Sequence, residues 1–215
     1  MSLLNTATQR QLNSQFSAIR QLDPRDLIPE NERYRKTIKD VTLGGFIRFG
    51  RKAYLVVEVG TYSETDNSYK QKTGDVWTEL KLFCLETGEH LNLEWEEDDE
   101  VEVSVTTGFL KFSRLRDDED GSVDEDDLDA LADEEDSLFL DGTEFEYDDD
   151  YASVYLRGGG TKEDPVYMYD FVSSDGTELT IEEWAIDPGK EKFEYQVFLS
   201  KQIDPNSIEI LTTGG

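Results

Sequence analysis

Apolar and polar positions change rhythm near residue 40. Over residues 3–22, Leu4, Leu12, Phe16 and Ile19 fall close to a 3.6-residue period, with Gln, Asn, Ser and Arg between them. That pattern predicts an amphipathic helix. Asp23-Pro24 ends it, because the residue before proline is pushed out of the helical region. Residues 23–40 lack either period and are expected to be a linker with a short basic run. From Val41 onward the rhythm is that of strands. Phe46–Phe49 and Tyr54–Val59 are rich in aromatic and β-branched residues around a Gly50-Arg51-Lys52 turn. Further strands are expected at Val76–Leu85 and His90–Trp95, then at Val101–Val105, where V-E-V-S-V alternates, and at Phe109–Phe112. The polar stretch Tyr62–Gly74 reads as a long hairpin loop.

One pattern occurs twice. Phe83-x4-Gly88-x2-Leu91-x-Leu93-Glu94-Trp95 returns as Phe171-x4-Gly176-x2-Leu179-x-Ile181-Glu182-Glu183-Trp184, with one residue inserted before the second tryptophan. An alternating strand follows each copy, V-E-V-S-V at 101–105 and F-E-Y-Q-V at 193–197, and Leu43-x-Gly45 matches Leu140-x-Gly142 further upstream. Glycine at a tight turn accepts positive φ. Leucines two apart share one sheet face, where tryptophan can cover a core. The expected fold is therefore mainly β: two tandem copies of a small antiparallel meander, barrel-like or sandwich, behind an N-terminal amphipathic helix. The expected boundaries are helix and linker at 1–40, a first β unit at 41–116, an acidic insertion at 117–137 and a second β unit at 138–215. Phe83, Gly88, Leu91, Trp95, Phe171, Gly176, Leu179 and Trp184 are the expected core and turns of the repeat.

Charge sharpens this division. Residues 1–81 hold 13 basic and 10 acidic side chains, whereas residues 82–215 hold 8 and 40, for a net charge of −29 over 215 residues. Thirteen of the 20 residues from 117 to 136 are acidic, a block that repels itself and is usually mobile. Within it, Ser122-Val123-Asp124-Glu125 has capping-box spacing ahead of Leu128 and Leu131, which predicts one or two helical turns. Such acidity disfavours nucleic acid as a partner. No apolar run approaches membrane-spanning length, no signal peptide opens the chain, and the single cysteine, Cys84, fits a cytoplasmic location.

The strand pattern resembles the uncharacterised bacterial domain-of-unknown-function family 4178. The residues that carry the resemblance are Gly45, Phe49, Tyr54-x-Val56-Val57, Trp77-x-Glu79-x-x-Leu82, Leu91 and Trp95 in the first half. In the second half they are Gly142, Phe145, Ala152, Gly158–Gly160, Tyr169-Asp170-Phe171, Gly176-x2-Leu179 and Ile181-Glu182-x-Trp184. The resemblance covers residues 41–211, with the acidic insertion and the 62–74 loop as departures. It implies no established activity. The family's genes tend to lie near membrane-stress and polyamine-synthesis-like genes, which implies an accessory role in bacterial envelope physiology.

Catalytic chemistry is not indicated. His90, the only histidine, aligns with Glu178, and Cys84 aligns with Val172, so neither stands in a repeated constellation. Zinc would need four such ligands. A calcium loop with Gly121 at its sixth position puts Arg116 where the first carboxylate belongs. Gly158–Gly160 lacks the Gly-Lys-Ser/Thr of a phosphate loop. The expectation is a non-enzymatic acidic β-scaffold without cofactor or metal, acting on an unidentified partner that is basic or envelope-associated. Its candidate contacts are Asp117, Asp118, Asp120, Asp124, Asp126, Asp127, Phe16 and Ile19, with self-association through the helix as a further option. Two alternatives stand beside it: a DNA mimic that occupies a basic protein, and a sensor of polyamine or lipid in a β pocket.

Overall fold

The computed structural model describes residues 6–117, 121–187 and 192–215. Helix α1 (Thr6–Ile19) is followed by strands β1 (Phe46–Phe49), β2 (Lys52–Thr65), β3 (Lys72–Cys84), β4 (His90–Glu97) and β5 (Val101–Leu110). Then come β6 (Leu115–Arg116), helix α2 (Glu125–Glu134), β7 (Leu138–Leu140) and β8 (Thr143–Arg157). The chain ends with β9 (Glu163–Ser173), β10 (Thr177–Asp187), β11 (Lys192–Gln202) and β12 (Glu209–Thr212). Bonded neighbours run β12-β1-β2-β3-β4-β5-β11-β10-β9-β8-β7-β6, and β2 also pairs with β8. The fold is mainly β, as expected, and its strands follow one another in an unbroken series of bonded neighbours. The chain divides into two compact units, one of residues 1–60, 78–103 and 203–215, the other of residues 61–77 and 104–202.

The first unit is built on Ile47, Leu80, Leu82 and Leu93, all fully buried, with Val56, Val103 and Ile210 beside them. Its β1–β2 turn is two residues long, and both Gly50 (φ 54°) and Arg51 (φ 68°) are left-handed. That is the turn whose twist matches paired strands. On the other side of β1 lies the C-terminal strand, in the register Phe46↔Thr212, Ile47↔Ile210 and Arg48↔Glu209. Residues 23–40 are not a free linker. Ile28 N–H donates to Leu211 O at 2.9 Å, Arg33 ion-pairs with Glu209, and short 3-10 turns at Glu30–Arg35 and Ile38–Asp40 lead to buried Ile38 and Val41.

The second unit holds the antiparallel run β8-β9-β10-β11, in which Tyr169↔Ile181 and Ile181↔Val197 stack core residues across three strands. Phe145, Phe171, Leu179 and Leu138 join them, and α2 covers this face with Leu128 and Ala132. The acidic insertion therefore carries a ten-residue helix whose apolar side belongs to the core. Its start differs from the expected capping box. Asp124 and Asp127 cap each other reciprocally, Asp124 N–H to Asp127 Oδ2 at 2.7 Å and Asp127 N–H to Asp124 Oδ1 at 3.3 Å. The expected 62–74 loop is also mostly strand: β2 runs to Thr65 and β3 begins at Lys72, with Tyr62, Ser63 and Thr65 buried.

The tandem duplication is not confirmed, and the register shows why. In β3–β4, Phe83 pairs with His90 and Leu82 with Leu91, whereas in β9–β10 the aligned Phe171 pairs with Leu179. One residue of slip reverses a side chain's face. Phe171 accordingly packs with Leu179 and Ile181, while Phe83 leaves the Leu80–Leu82–Leu93 core and joins Phe46, Leu55 and Ala18. The tryptophans diverge too. Trp95 packs against the Leu93 core, but the inserted residue turns Trp184 away from Ile181 toward Tyr62 and Tyr155. Gly88 (φ 72°) and Gly176 (φ 74°) share their turn role despite this slip. Leu43 and Leu140 are not equivalents: Leu140 is buried in β7, and Leu43 is exposed before β1.

Candidate functional site

Helix α1 sits on the first unit turned about a quarter turn from the orientation implied by its apolar pattern. Gln15 Nε2 donates to Leu85 O at 3.0 Å and to Glu86 O at 2.9 Å, and Gln11 Nε2 donates to Thr87 O. Two glutamines thus satisfy three successive carbonyls of the β3–β4 turn. Ala18 is buried against Phe46, Leu55 and Phe83, with Leu22 alongside. The apolar stripe stays outside: Phe16 is 58% exposed, Ile19 48% and Leu12 36%. At about 100° per residue these three share an arc of about 60° that lies beside the glutamine side of the helix, roughly a quarter turn round from it.

Basic groups lie on the same unit as this stripe. Helix α1 contains no acidic residue, and Arg10 on it and Arg20 just past its end are exposed. The Gly50–Ala53 turn rests on the same support, since Leu85 N–H donates to Ala53 O at 2.9 Å and Ala53 N–H donates to the Glu86 carboxylate at 3.1 Å. It carries Arg51 and Lys52. Among the described residues, these four cations have no carboxylate partner, whereas Arg25, Arg33, Lys36, Lys39 and Arg48 are each ion-paired.

The second unit carries most of the acidity, with 10 basic against 32 acidic residues, where the first has 11 against 18. Much of that acidity is tied to tyrosine hydroxyls. Tyr147 and Tyr167 both donate to Asp150, Tyr169 donates to Asp129 at 2.7 Å, Tyr151 to Asp170 at 2.8 Å, Tyr62 to Glu182 at 2.7 Å and Tyr195 to Glu183 at 2.9 Å. Burial, and then the adjoining aspartate, push the Tyr147, Tyr167 and Tyr169 hydroxyls well above the usual phenol range. These hydroxyls remain protonated donors. Burial raises the Asp170 carboxyl to about 6 against an ordinary 3.8, although Thr180 and Tyr151 hydroxyls favour its ionised form.

An aromatic cluster surrounds one of these pairs. Tyr62 stacks on Trp77 at 5.1 Å and 6°, and meets Tyr155 at 4.6 Å; Trp184 approaches Tyr155 edge-on at 5.7 Å and donates Nε1–H to Glu182 at 2.9 Å. The rings fill the space between one another, so the cluster holds Glu182 in place through Tyr62 and Trp184. Buried Ser153 directs an Oγ into this region without a hydrogen-bond partner.

The anticipated contacts are thus separated in the structure. Phe16 and Ile19 lie together on α1. Asp124 and Asp127 close the α2 N-terminus, and Asp117 Oδ1 accepts from Gly121 N–H at 2.6 Å. Asp118 and Asp120 lie outside the described residues, as does the side chain of Asp126. Among the described residues, no cluster of His, Cys, Asp or Glu is arranged to hold a metal ion, and no helix is long and apolar enough to cross a membrane. Sequence reasoning gives no sign that Arg51 and Lys52 share a support with α1, because only Leu85 and Glu86 bring their turn and the helix together. It also missed Asp129, Asp150 and Asp170, whose tyrosine partners are set by strand pairing.

Comparison with known proteins gives one match: a family model described as a domain of unknown function, DUF4178, aligns with residues 42–205. No curated protein and no solved structure matches the chain.

Proposed function

Since the chain belongs to the DUF4178 family, whose description assigns no activity, we propose its function from the geometry: it is a non-enzymatic interaction module that presents helix α1 to a partner. One observation carries this reading. The helix is fixed to its unit by its glutamine side, and Leu12, Phe16 and Ile19 are left facing outward at positions i, i+4 and i+7. Anchors at that spacing are the usual contacts of a helix laid on an apolar partner. A helix that served only the domain's core would bury those side chains. The tyrosine–carboxylate pairs support the same reading from the other direction, because their acids are engaged in holding strands together.

The test is a photo-crosslinking residue placed at Gln9, on the exposed side of α1, in the native cell. A discrete adduct that disappears when Phe16→Ser and Ile19→Ser are introduced is the expected result. An adduct pattern indifferent to those substitutions refutes the proposal.

A further inference from the structure

We infer that the surface formed by α1 and the Gly50–Ala53 turn docks reversibly on an anionic lipid surface; this rests on the docking reading of α1. Two independent features meet there. The apolar one is the outward stripe Leu12–Phe16–Ile19, which belongs to a helix that lies flat against its support and does not project from it. The electrostatic one is a set of four cations, Arg10, Arg20, Arg51 and Lys52, without carboxylate partners among the described residues. Both α1 and the turn are anchored to Leu85 and Glu86, so stripe and cations are held in a fixed relation. An apolar strip bordered by Lys and Arg is the composition of helices that lie in the plane of a membrane interface.

The chain's net charge of −29 opposes such docking at long range. Screening limits that opposition, since at physiological ionic strength a charge acts over about 8 Å. The sign of the groups nearest the surface then decides the outcome, and residues 1–22 hold two arginines and no acid. The turn beneath the helix carries two carboxylates, Glu86, which is occupied by Ala53 N–H and by the Cys84 thiol, and exposed Glu89. A second copy of the chain is a poorer occupant. Pairing two α1 helices brings together segments whose own charges, Arg10 and Arg20, are both positive, on bodies that already repel each other. Three anchors on a segment with two arginines and no acid suit weak, reversible attachment.

The experiment is flotation of the full chain with phosphatidylcholine vesicles, with and without phosphatidylglycerol, at low and physiological salt. The expected result is recovery with the anionic vesicles only, falling as salt rises. Arg10→Gln with Arg20→Gln, and separately Arg51→Ser with Lys52→Gln, should each weaken partitioning by roughly tenfold or more. Phe16→Ser with Ile19→Ser should abolish it. All these side chains are surface-exposed or partly so, and unchanged urea denaturation confirms that the variants fold. Absence of flotation with either vesicle overturns the inference, as does flotation that survives the stripe substitutions. If vesicles fail while the Gln9 crosslink persists and depends on the stripe, the occupant is a protein: the lipid assignment falls and the docking reading stands. A stripe-dependent, concentration-dependent rise in mass identifies a second copy and likewise overturns the lipid assignment.

Discussion

Replacing Asp170 by Asn isolates the energetic consequence of one buried carboxyl. Asp170 receives hydroxyls from Thr180 at 2.6 Å and Tyr151 at 2.8 Å, and burial raises its pKa to about 6 from an ordinary 3.8, with Glu178 and Asp148 adding repulsion. The folded chain therefore holds this proton more tightly than the unfolded chain. Below pH 3.8 the group is protonated in both states and its contribution to stability is fully present. That contribution is lost as pH rises through about 6, because the folded state must then carry a desolvated charge. A difference of about two pH units corresponds to about 3 kcal/mol, as an order of magnitude. Asparagine keeps the shape and an acceptor oxygen but does not ionise, so Asp170→Asn should gain on the wild type by up to about 3 kcal/mol between pH 4 and pH 8. The assay is urea unfolding followed by tryptophan fluorescence, in steps from pH 4 to pH 8. Taking the difference between the two chains cancels the titration of the other acids. A difference that stays flat with pH refutes the argument, as does a variant that loses ground as pH rises.

Other substitutions probe separate links in the structure. Ser153→Ala removes a buried hydroxyl that has no partner, so urea denaturation should show unchanged stability or a gain of about 1 kcal/mol; a loss above that would mean the hydroxyl is bonded. Leu128→Ala opens a fully buried site and should lower stability by about 2–5 kcal/mol in the same assay, whereas a loss under about 1 kcal/mol would show that α2 lies outside the core. Gly88→Ala places a Cβ at φ 72° and 3.0 Å from Gln11 Cγ, whereas Gly176→Ala at φ 74° meets open space. Both should lose about 1 kcal/mol to backbone strain, but only Gly88→Ala should speed proteolysis after α1, and equal cleavage rates would dissociate Gln11 from the docking of the helix.

The chain's mainly β character and its hairpin turns are legible in the residues because both are local. Alternation in V-E-V-S-V and glycine at positions 88 and 176 report backbone conformation directly, and all of these fall in strands or left-handed turns. Strand register was not legible. The motif around Phe83 and that around Phe171 are nearly identical in spacing, yet one residue of difference in the loop closure sends the two phenylalanines to opposite faces. The 62–74 stretch was missed for a related reason. Its strand residues include Gly, Ser, Thr and Glu, and the burial of Tyr62, Ser63 and Thr65 comes from neighbouring strands, not from their own hydrophobicity. Tyrosine–carboxylate pairing spans 40 residues for Tyr169–Asp129 and 120 for Tyr62–Glu182, beyond any pattern of spacing.

Helix α1 was predicted from a periodicity whose meaning depends on what lies beneath it. A stripe of Leu, Phe and Ile ordinarily turns inward because burial of each side chain contributes about 1.5–3 kcal/mol. Here the support offers three backbone carbonyls at Leu85, Glu86 and Thr87, and a hydrogen bond to each contributes about 0.5–1.5 kcal/mol net. Gln11 and Gln15 donate all three bonds, and no leucine in their places can. The helix is thus tied down by a turn some 70 residues away. Its apolar side is left over, on a segment whose two arginines have no carboxylate partner among the described residues. An amphipathic pattern that the domain does not use for its own core is energetically unfavourable for an isolated chain, which is the physical reason for placing the partner on α1.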